Sequence, residues 1–376
     1  MTGRLVLLGA GHAHLFVLEG LAKRPLRGVE TTLISLDARQ AYSGMVPGMI
    51  GGRYELDELS FDLPAICRRA GVTFLQGGAT RLIPVERRVV LDAGTSLVYD
   101  LLSITTGSTV EGGDLPGVAE HALCVKPIGR AVEIVPALER AARLTREAAV
   151  IVVGGGAAGV EMALAARARL RMLGRVDASV TLIESEARLF GGRTPAAEGP
   201  VTRALAANRV TLRLGAKVSE VLADAVRLEP PARALPANVT IWAAGAAAAA
   251  LLRDSGLALD ERGFLLVDDR LRSVSDAAVF AAGDAATLER YPGTPKAGVY
   301  AVREGPVLWE NLQAAARGDP PGVRYRPQPR FLALLNTGDG RAIVSYGRVS
   351  AWGRWAMTVK DRIDRSFMRR FHRLQR

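Results

Sequence analysis

The chain has 376 residues, of which 49% are hydrophobic and 23% are charged. These proportions are typical of a globular protein, and the length allows two domains of ordinary size. The formal net charge is +11, but the last 25 residues hold eight Lys or Arg and two Asp, which leaves +5 for the other 351 residues. The excess is concentrated in the tail, and because no nucleic-acid-binding fold accompanies it, we expect no nucleic-acid partner.

The two cysteines, Cys67 and Cys124, are far apart and form no C-x-x-C motif. This spacing excludes a redox-active disulfide motif and a zinc site, so we expect two small buried side chains in a cytoplasmic protein. The four histidines are too scattered to indicate a metal. The longest uncharged apolar runs, 241–252 and 148–160, are shorter than the ~18 residues that a transmembrane helix requires.

A glycine turn follows the first predicted strand, 4–8, and precedes a helix predicted to end near Lys23. Gly9 and Gly11 match the first two glycines of a dinucleotide-binding turn. His14 replaces the third glycine, and we expect its side chain to push the helix slightly off the strand.

The residues around this turn include three further candidates. His12, like His14, has two interpretations: a residue that caps and packs the helix, or a contact to the phosphates or the edge of a cofactor. The next predicted strand, 31–36, is followed by Asp37, the candidate ligand of a ribose. The Gly-rich stretch 42–52 has no period, so it predicts a loop, either around a flat aromatic ligand or simply at the surface.

Short strands are predicted at 72–75, 81–84 and 89–91, as a small antiparallel insert. A buried strand follows from Tyr99 and stops at the polar turn Thr106-Gly107. Residues 109–147 are predicted to form a crossover with a helix from about 128 to 146.

The most informative stretch is 148–184. An apolar strand leads into Gly154, Gly156 and Gly159, then an Ala-rich helix, then a strand that ends at Glu184. This order of strand, glycine turn, helix and acid predicts a dinucleotide site, with pyrophosphate at the helix N-terminus. Glu184 would accept hydrogen bonds from a ribose 2′-OH and repel a 2′-phosphate, which favours NAD over NADP, although Arg188 lies nearby.

Later predicted strands end in a turn that repeats the earlier one. They span 211–214, 218–222, 225–228 and 239–243. The last of these strands is followed by Ala244-Gly245, just as the strand from Tyr99 is followed by Thr106-Gly107. Each of the two dinucleotide turns is therefore followed later in the chain by a strand that ends in a second Gly-bearing turn. We interpret this as an internal duplication.

The remaining elements complete the core and lead to the tail. Strands are predicted at 263–268 and at 279–286, where Gly283 precedes the buried-looking Asp284. Residues 295–301 lead into a helix through 312, residues 317–329 form a linker, and a β-hairpin is predicted around 338–340.

In the tail, apolar residues recur in steps of three or four and indicate one helical face. They are Trp352, Trp355, Val359, Ile363, Phe367, Phe371 and Leu374. The opposite face is basic, with Lys360 among its residues, so 352–376 predicts an interfacial helix on an anionic membrane. A dimerisation helix and a solvated basic tail are the alternatives.

Together these motifs resemble the FAD-dependent pyridine-nucleotide oxidoreductases, and the resemblance covers nearly the whole chain. Gly9, Gly11, Gly283 and Asp284 match the FAD motifs, and the turns at Thr106-Gly107 and Gly245 match the family's two A-T-G-type turns. The resemblance implies an α/β fold with two Rossmann-like domains, the NAD domain being inserted into the FAD domain. It implies an FAD domain at 1–115 and 259–325, an NAD(H) domain at 116–258, and a β-hairpin with a basic amphipathic helix at 326–376.

Within that family the chain resembles the type II NADH dehydrogenases, which pass electrons from NADH through FAD to quinone at the membrane surface. Glu161 lies where these proteins carry a glutamate near the flavin. The chain is more similar still to the flavoprotein module found alone or fused ahead of selenide, water dikinase. That similarity rests on the segments 11–14, 42–48, 295–300 and 360–368.

Two departures matter. The glutamine-bearing A-Q-x-A-x-Q segment of type II dehydrogenases is replaced by Gly298-Val299-Tyr300-Ala301-Val302-Arg303, which weakens the quinone assignment. Disulfide reductases and sulfide:quinone oxidoreductases need cysteines close to the flavin, and a suitable pair is absent.

The resemblance implies hydride transfer from NADH to FAD, then electron transfer to a quinone. Glu161 and Lys296 are the candidate catalytic residues, and Tyr42, Pro47, Val299 and Tyr300 are expected to line the flavin. We expect a cytoplasmic protein associated peripherally with the inner face of the cell membrane, with a homodimer as one option for its assembly. The alternatives are a soluble acceptor, such as a protein or a selenium compound, and a non-catalytic flavoprotein redox sensor.

Overall fold

The structure is a computed structural model, and it describes residues 3–145, 147–230 and 233–375. The strands, in chain order, are β1 Gly3–Leu8, β2 Val29–Ser35, β3 Arg39–Ala41, β4 Ser60–Asp62, β5 Thr73–Gln76, β6 Ala79–Ile83, β7 Arg88–Leu91, β8 Ser96–Val98, β9 Leu101–Ile104, β10 Thr109–Val110, β11 Ala122–Cys124, β12 Ala149–Val153, β13 Ser179–Ile183, β14 Val210–Arg213, β15 Val218–Val221, β16 Ala225–Leu228, β17 Arg233–Pro236, β18 Val239–Trp242, β19 Ala246–Ala247, β20 Leu265–Val267, β21 Val279–Ala281, β22 Ala286–Leu288, β23 Ala333–Asn336, β24 Ala342–Tyr346 and β25 Val349–Gly353.

The helices range from single turns to five turns. They are α1 His12–Lys23, α2 Val46–Ile50, α3 Leu63–Ala70, α4 Val118–His121, α5 Ile134–Leu144, α6 Ala157–Met172, α7 Pro195–Ala207, α8 Ala250–Arg253, α9 Gly298–Ala316 and α10 Arg354–His372. Short 3-10 turns occur at Leu56–Leu59, Pro84–Glu86, Ile128–Glu133, Leu189–Gly192 and Gly283–Ala285.

Two parallel five-stranded sheets form the centre of the molecule. The first has the order β21-β9-β1-β2-β5 and the second the order β11-β18-β12-β13-β14. In each, a glycine turn links a central strand to the helix beside it, β1 to α1 and β12 to α6. Burial on both faces explains the continuous apolar runs of β1 and β12. The α/β class with two Rossmann-like domains is therefore confirmed.

The two duplicated Gly-bearing turns meet. β10 follows the turn at Thr106-Gly107, β19 follows the turn at Gly245, and the two strands pair antiparallel, Thr109 opposite Ala247. Four strands of the first sheet precede the second sheet in the sequence, and the fifth, β21, follows it. The domain limits at 115, 258 and 325 stay a prediction.

Some element predictions were wrong. Thr73–Gln76 is the parallel edge strand of the first sheet and not part of the antiparallel insert, which is β6-β7-β8. The Gly-rich stretch contains the short helix α2, whose end is held because the Arg169 guanidinium of α6 donates to the carbonyls of Ile50 (2.8 Å) and Met49 (2.9 Å).

The late hairpin has a third strand. β25 pairs with β24, which removes Trp352 from the tail helix and places it opposite Ile343. The Trp352 indole donates to Thr337 Oγ1 (3.2 Å), and the Arg341 guanidinium lies 3.7 Å over its ring. This sheet packs on α6, α7 and α10. Side chains of α10 also reach α1 and the loop before α2, through the Arg370–Glu19 hydrogen bond (2.6 Å) and the stacking of Phe367 on Tyr42.

The predicted faces of the tail helix were also wrong in part. Phe371 is fully buried, and Phe367 packs against Tyr42 and His12, so these two rings belong to the core of the protein. Lys360, assigned to the basic face, is 5% exposed. Trp355, Val359 and Ile363 keep 57%, 36% and 47% exposure, so only the first half of the apolar row faces outward. Within the described ranges, no helix combines the length and apolar character needed to cross a bilayer.

Candidate active site

The first glycine turn is tied to the end of β9. A Cβ at Gly9 would lie 2.7 Å from the Thr106 backbone, and one at Gly11 would lie 2.5 Å from the Thr105 carbonyl oxygen. Thr105 Oγ1 accepts from the Gly11 N–H (3.1 Å) and donates to the Gly9 carbonyl (3.0 Å). The close approach explains why glycine is needed at both positions. No side chain caps α1, so its first N–H groups and positive dipole end face the turn.

His14 stands at the position of the third glycine of the dinucleotide-binding turn, and its side chain occupies the space between α1 and β9. Its side chain is fully buried, Nδ1 donates to the Gly9 carbonyl (2.5 Å), and Nε2 accepts from the Ser103 hydroxyl (2.8 Å). Burial lowers the pKa of His14 to about 4, so the ring is neutral at physiological pH. It therefore acts as a packing residue that links α1 to β9.

Two buried polar atoms at this turn have no hydrogen-bond partner, His12 Nε2 and Thr106 Oγ1. Unsatisfied buried polar atoms are costly and therefore rare, so they indicate a ligand that completes them. Burial lowers the pKa of His12 to about 4, which leaves one ring nitrogen as donor and one as acceptor. Gly107, at φ +76°, has open space where a Cβ would stand. These features fit the phosphate and ribityl parts of FAD.

Asp284 ends the adjacent strand, β21, in the predicted second FAD motif. It accepts from the Lys126 ammonium (2.6 Å) and the Ser108 hydroxyl (3.0 Å). The side chains of Lys126 and Asp284 are only 28% and 17% exposed. This partly buried ion pair, which no sequence motif indicated, sets the charge next to the first glycine turn.

The second glycine turn has the same form. Gly154 has φ +110°, a Cβ at Gly159 would lie 1.7 Å from the Gly154 carbonyl oxygen, and Gly156 has open space. Gly156 begins α6 without a side-chain cap, so free N–H groups remain for a pyrophosphate.

Glu184 lies at the end of β13, beside this turn. One of its oxygens accepts from the Gly155 N–H (2.6 Å), and the other accepts from the Glu186 N–H (2.9 Å). Arg188 is engaged elsewhere, because it pairs with Glu198 (2.9 Å). The carboxylate is thus fixed next to the turn, with lone pairs left for a ribose.

Glu161 lies in the first turns of α6 and is the centre of a charged cluster. Its Oε1 accepts from the Asn336 backbone N–H (2.7 Å) at the end of β23. Burial raises the pKa of Glu161 to about 7, an effect that the nearby Lys360 ammonium opposes. Lys360 Nζ donates to Asp364 Oδ2 (2.9 Å) and to the Gly44 carbonyl (2.7 Å). A carboxyl with a pKa near neutrality can hold or give a proton at physiological pH.

Aromatic rings connect this cluster to the first glycine turn. Tyr42 stacks on Phe367 with ring centroids 4.6 Å apart, and its hydroxyl donates to Asp364 (3.3 Å). The His12 ring meets Tyr42 edge-on at 5.4 Å. The loop before α2, the N-terminus of α1 and the tail helix therefore meet at one place.

Lys296 lies on the other side of the turn, in the segment before α9. Its Nζ donates to Thr287 Oγ1 (2.9 Å) and to the Ala286 carbonyl, and it lies 3.9 Å from the centre of the Phe264 ring. Burial lowers the pKa of Lys296 to about 8, although Asp284 raises it. Val299 and Tyr300 form the first turn of α9, and Tyr300 meets Phe331 edge-on at 5.7 Å.

The structure brings most of the predicted site residues to the two glycine turns. Asp37 is exposed beyond β2, and Pro47 is buried in α2. Gly245 follows Ala244, whose backbone lies against Gly154, and its carbonyl accepts from the Glu111 N–H (2.9 Å). Lys360, Asp364 and Asn336 were missed. Their signal, a Lys and an Asp four residues apart in the tail, was hidden by the amphipathic pattern around it.

Comparison with known proteins identifies the family. A family model for pyridine nucleotide-disulphide oxidoreductases matches residues 3–311. An NADH dehydrogenase-like protein of Mycobacterium tuberculosis is 32% identical over 302 residues, 75% of this chain and 72% of the relative. A type II NADH:quinone oxidoreductase of Staphylococcus saprophyticus is 22% identical, with 96% of this chain and 94% of the relative covered.

The fold is also found in solved structures. The sulfide:quinone oxidoreductase of Aquifex aeolicus superimposes with a TM-score of 0.81 at 18% identity, covering 99% of this chain and 92% of the other. At that identity the likeness concerns the fold alone. The chain therefore belongs to the pyridine nucleotide-disulphide oxidoreductase family, and it is a flavin-dependent, NADH dehydrogenase-like oxidoreductase whose cofactors are FAD and NAD(P)H.

Proposed function

We propose that this protein oxidises NADH and passes the electrons through FAD to a quinone at the inner surface of the cell membrane. The observation that carries the proposal is the Glu161, Lys360 and Asp364 cluster, which joins the NAD helix α6 to the tail helix α10. The name of the Staphylococcus relative, a type II NADH:quinone oxidoreductase, supports a quinone acceptor. FAD supplies the redox chemistry, because it accepts hydride and releases electrons.

The residues of the chain bind and orient the two nucleotides. The N-termini of α1 and α6 bind the pyrophosphates, with His12 and Thr106 as further ligands for FAD. Asp284, held by Lys126, binds the ribityl chain, and Lys296 stabilises negative charge at the same end of the cofactor. Glu184 binds the NADH ribose, and its charge disfavours the 2′-phosphate of NADPH.

Quinone reduction requires two protons for each pair of electrons. NADH brings two electrons and one proton as hydride, so one further proton must come from solvent. We assign Glu161 to this step, because its carboxyl holds a proton near neutral pH and Lys360 stabilises the charge that is left behind. Tyr42 and Asp364 position Lys360 through their shared hydrogen bonds.

The outward side of α10 is the proposed membrane surface. Trp355, Val359 and Ile363 form an exposed apolar row, and Arg362, Arg369 and Arg373 follow it toward the C-terminal end. Aromatic and aliphatic groups enter the interface while arginines meet anionic headgroups. The tail helix α10 is thus the proposed membrane contact, with a smaller apolar face than predicted for 352–376.

Anaerobic stopped-flow tests the proposal. Rapid loss of the oxidised flavin absorbance near ~450 nm on adding NADH, then rapid recovery on adding a ubiquinone or menaquinone analogue, is the expected result. Flavin that NADH reduces but quinones do not reoxidise would contradict the quinone assignment. Flavin that neither NADH nor NADPH reduces would contradict hydride transfer itself.

A soluble acceptor, such as a protein or a selenium compound, is the second candidate. The segment Gly298–Arg303 has neither glutamine of the type II dehydrogenase pattern, and the absence of both favours a soluble acceptor over a quinone. Replacing the exposed Trp355, Val359 and Ile363 of α10 by Ser distinguishes the two, since a soluble acceptor should still be reduced after membrane binding is lost. A non-catalytic redox sensor predicts FAD binding without fast turnover.

A further inference from the structure

We propose that Glu304 is a proton-accepting residue of the FAD site, taking one proton from solvent when NADH delivers electrons and releasing it when the acceptor removes them. This inference rests only on the first half of the proposed function, the reduction of FAD by NADH. It concerns a side chain of α9 that no motif indicated.

Glu304 is joined directly to the second FAD motif. Its Oε2 accepts from the Gly283 N–H at 2.6 Å, and the side chain is 5% exposed. Gly283 has φ +69° and immediately precedes Asp284. The carboxylate therefore lies one peptide unit from the residue proposed to bind the ribityl chain.

A small, partly open pocket connects Glu304 with the other charged groups. A cavity of about 10 Å³ is lined by Glu304, Asp284, Lys296 and Tyr300, together with neighbouring backbone. That volume has room for one water at most. The Tyr325 hydroxyl, buried on the far side, has no hydrogen-bond partner. A single water beside the carboxylate would therefore be the immediate proton donor to Glu304.

No cation pairs with Glu304 in the described part of the chain. Lys296 is bonded to Thr287 and Ala286, and Asp284 is paired with Lys126. Arg303, next to Glu304 on α9, is exposed to solvent, and on the α1 side Gly305 packs against the Phe16 ring.

The two charged residues of α1 on this side are engaged with each other and with the tail, because Glu19 pairs with Lys23 and Arg370. Burial raises the pKa of Glu304 to about 7, while the Gly283 N–H and Lys296 lower it. A buried carboxylate without a counter-charge gains most when it is neutralised by a proton.

Electrons and protons balance over one cycle of reduction and reoxidation. Hydride carries two electrons and one proton from NADH, and NAD⁺ leaves. The negative charge that bound FAD would gain on reduction would raise the proton affinity of Glu304, so its carboxylate would bind one proton from solvent. When the acceptor takes the two electrons, the proton of the hydride and the proton on Glu304 would both be released, to the acceptor or to solvent.

The midpoint potential of the purified holoprotein measured against pH tests this proposal. One extra proton per two electrons changes the equilibrium tenfold per pH unit, which for a two-electron couple is about 30 mV. Around neutral pH, the midpoint potential of the wild type should fall with pH more steeply than that of E304Q, by up to this amount per pH unit. E310Q is the matched control, because Glu310 is an exposed residue of the same helix that pairs with Arg24.

Infrared difference spectra give a direct second readout. Reduction of wild type should produce a protonated carboxyl band that E304Q lacks and E310Q keeps. Equal slopes in wild type and E304Q, or reduction of wild type without a new carboxyl band, would overturn the proposal, and the second result needs no variant. Chemical reduction by dithionite separates the two proposals, since it tests Glu304 even where NADH fails to reduce the flavin.

Discussion

Lys360 Nζ lies 2.9 Å from Asp364 Oδ2, one helical turn away on α10, and both side chains are almost completely buried. An ion pair removed from water is held in place by the cost of breaking it, since a single remaining charge is left unpaired. This pair and its bond to the Gly44 carbonyl fasten the tail helix to the candidate active site.

Removing one partner of this pair should destabilise the protein strongly. We expect Lys360→Met or Asp364→Asn to lower the free energy of unfolding by about 3–5 kcal/mol. The double variant Lys360→Met/Asp364→Asn should cost less than the sum of the two single changes, because neither member of the pair is then left without its partner. Denaturant unfolding measures this, with the exposed Arg362→Met as control. Additive losses in the double variant would contradict the pairing argument.

Glu161 should give the oxidative half-reaction its pH dependence. Because burial raises the pKa of Glu161 to about 7, its carboxyl is protonated below that pH and can donate to the quinone. The rate of reoxidation should therefore fall as pH rises through about 7. Glu161→Gln should abolish this fall in rate with rising pH and should slow reoxidation by about 10²-fold, a typical contribution of general acid catalysis. Stopped-flow at several pH values measures it, with the exposed Glu261→Gln as control.

The exposed apolar row of α10 should determine membrane binding. Replacing Trp355, Val359 and Ile363 by Ser should reduce partition onto phosphatidylglycerol vesicles at least about tenfold, since apolar insertion adds to electrostatic attraction. Reduction of a small soluble acceptor should persist. The control replaces two exposed apolar residues elsewhere, Val85 and Leu144. Unchanged vesicle sedimentation of the triple variant would remove α10 as the membrane contact.

His14 should make the protein sensitive to acid. Burial lowers the pKa of His14 to about 4, whereas the unfolded chain binds a proton near pH 6.5. Below pH 6.5 the unfolded state thus holds more protons than the folded state, and stability falls as pH is lowered toward 4. The loss amounts to at most about 3 kcal/mol, at roughly 1.4 kcal/mol per pKa unit.

The test compares the slope of unfolding free energy against pH. His14→Asn should flatten the slope between about pH 5 and 6.5, whatever its absolute stability. His121→Asn, a change at an exposed histidine, should keep the wild-type slope. A slope that is identical in wild type and His14→Asn would contradict the burial argument.

Glu184 should select NADH. Glu184→Ser removes the charge that opposes a 2′-phosphate and also removes the acceptor of the Gly155 N–H. We expect the ratio of kcat/KM for NADH to that for NADPH to fall about tenfold or more, which corresponds to roughly 1.4 kcal/mol. Reduction kinetics with both nucleotides measure it. Glu186→Ser, at an exposed neighbouring residue, should leave the ratio unchanged.

Local patterns alone determined the two nucleotide-binding units. Gly9, Gly11, Gly154 and Gly159 were identifiable because a turn between a buried strand and a helix leaves no room for a Cβ, and Gly156 because its position lets the backbone approach a pyrophosphate. The apolar runs before each turn were long enough to predict the buried parallel strands. These signals depend on residues that are close in sequence, so the fold class could be read directly.

Only the tertiary structure decided which charged groups act together. Glu161, Asn336 and Lys360 come from α6, β23 and α10, and nothing in their separate neighbourhoods indicates that they meet. The tail shows the same limit, because a row of apolar residues predicts a helical face but not what covers it. Phe367 and Phe371 are covered by the protein and Trp355 is not, since the position of α10 is set by its contacts with the rest of the fold.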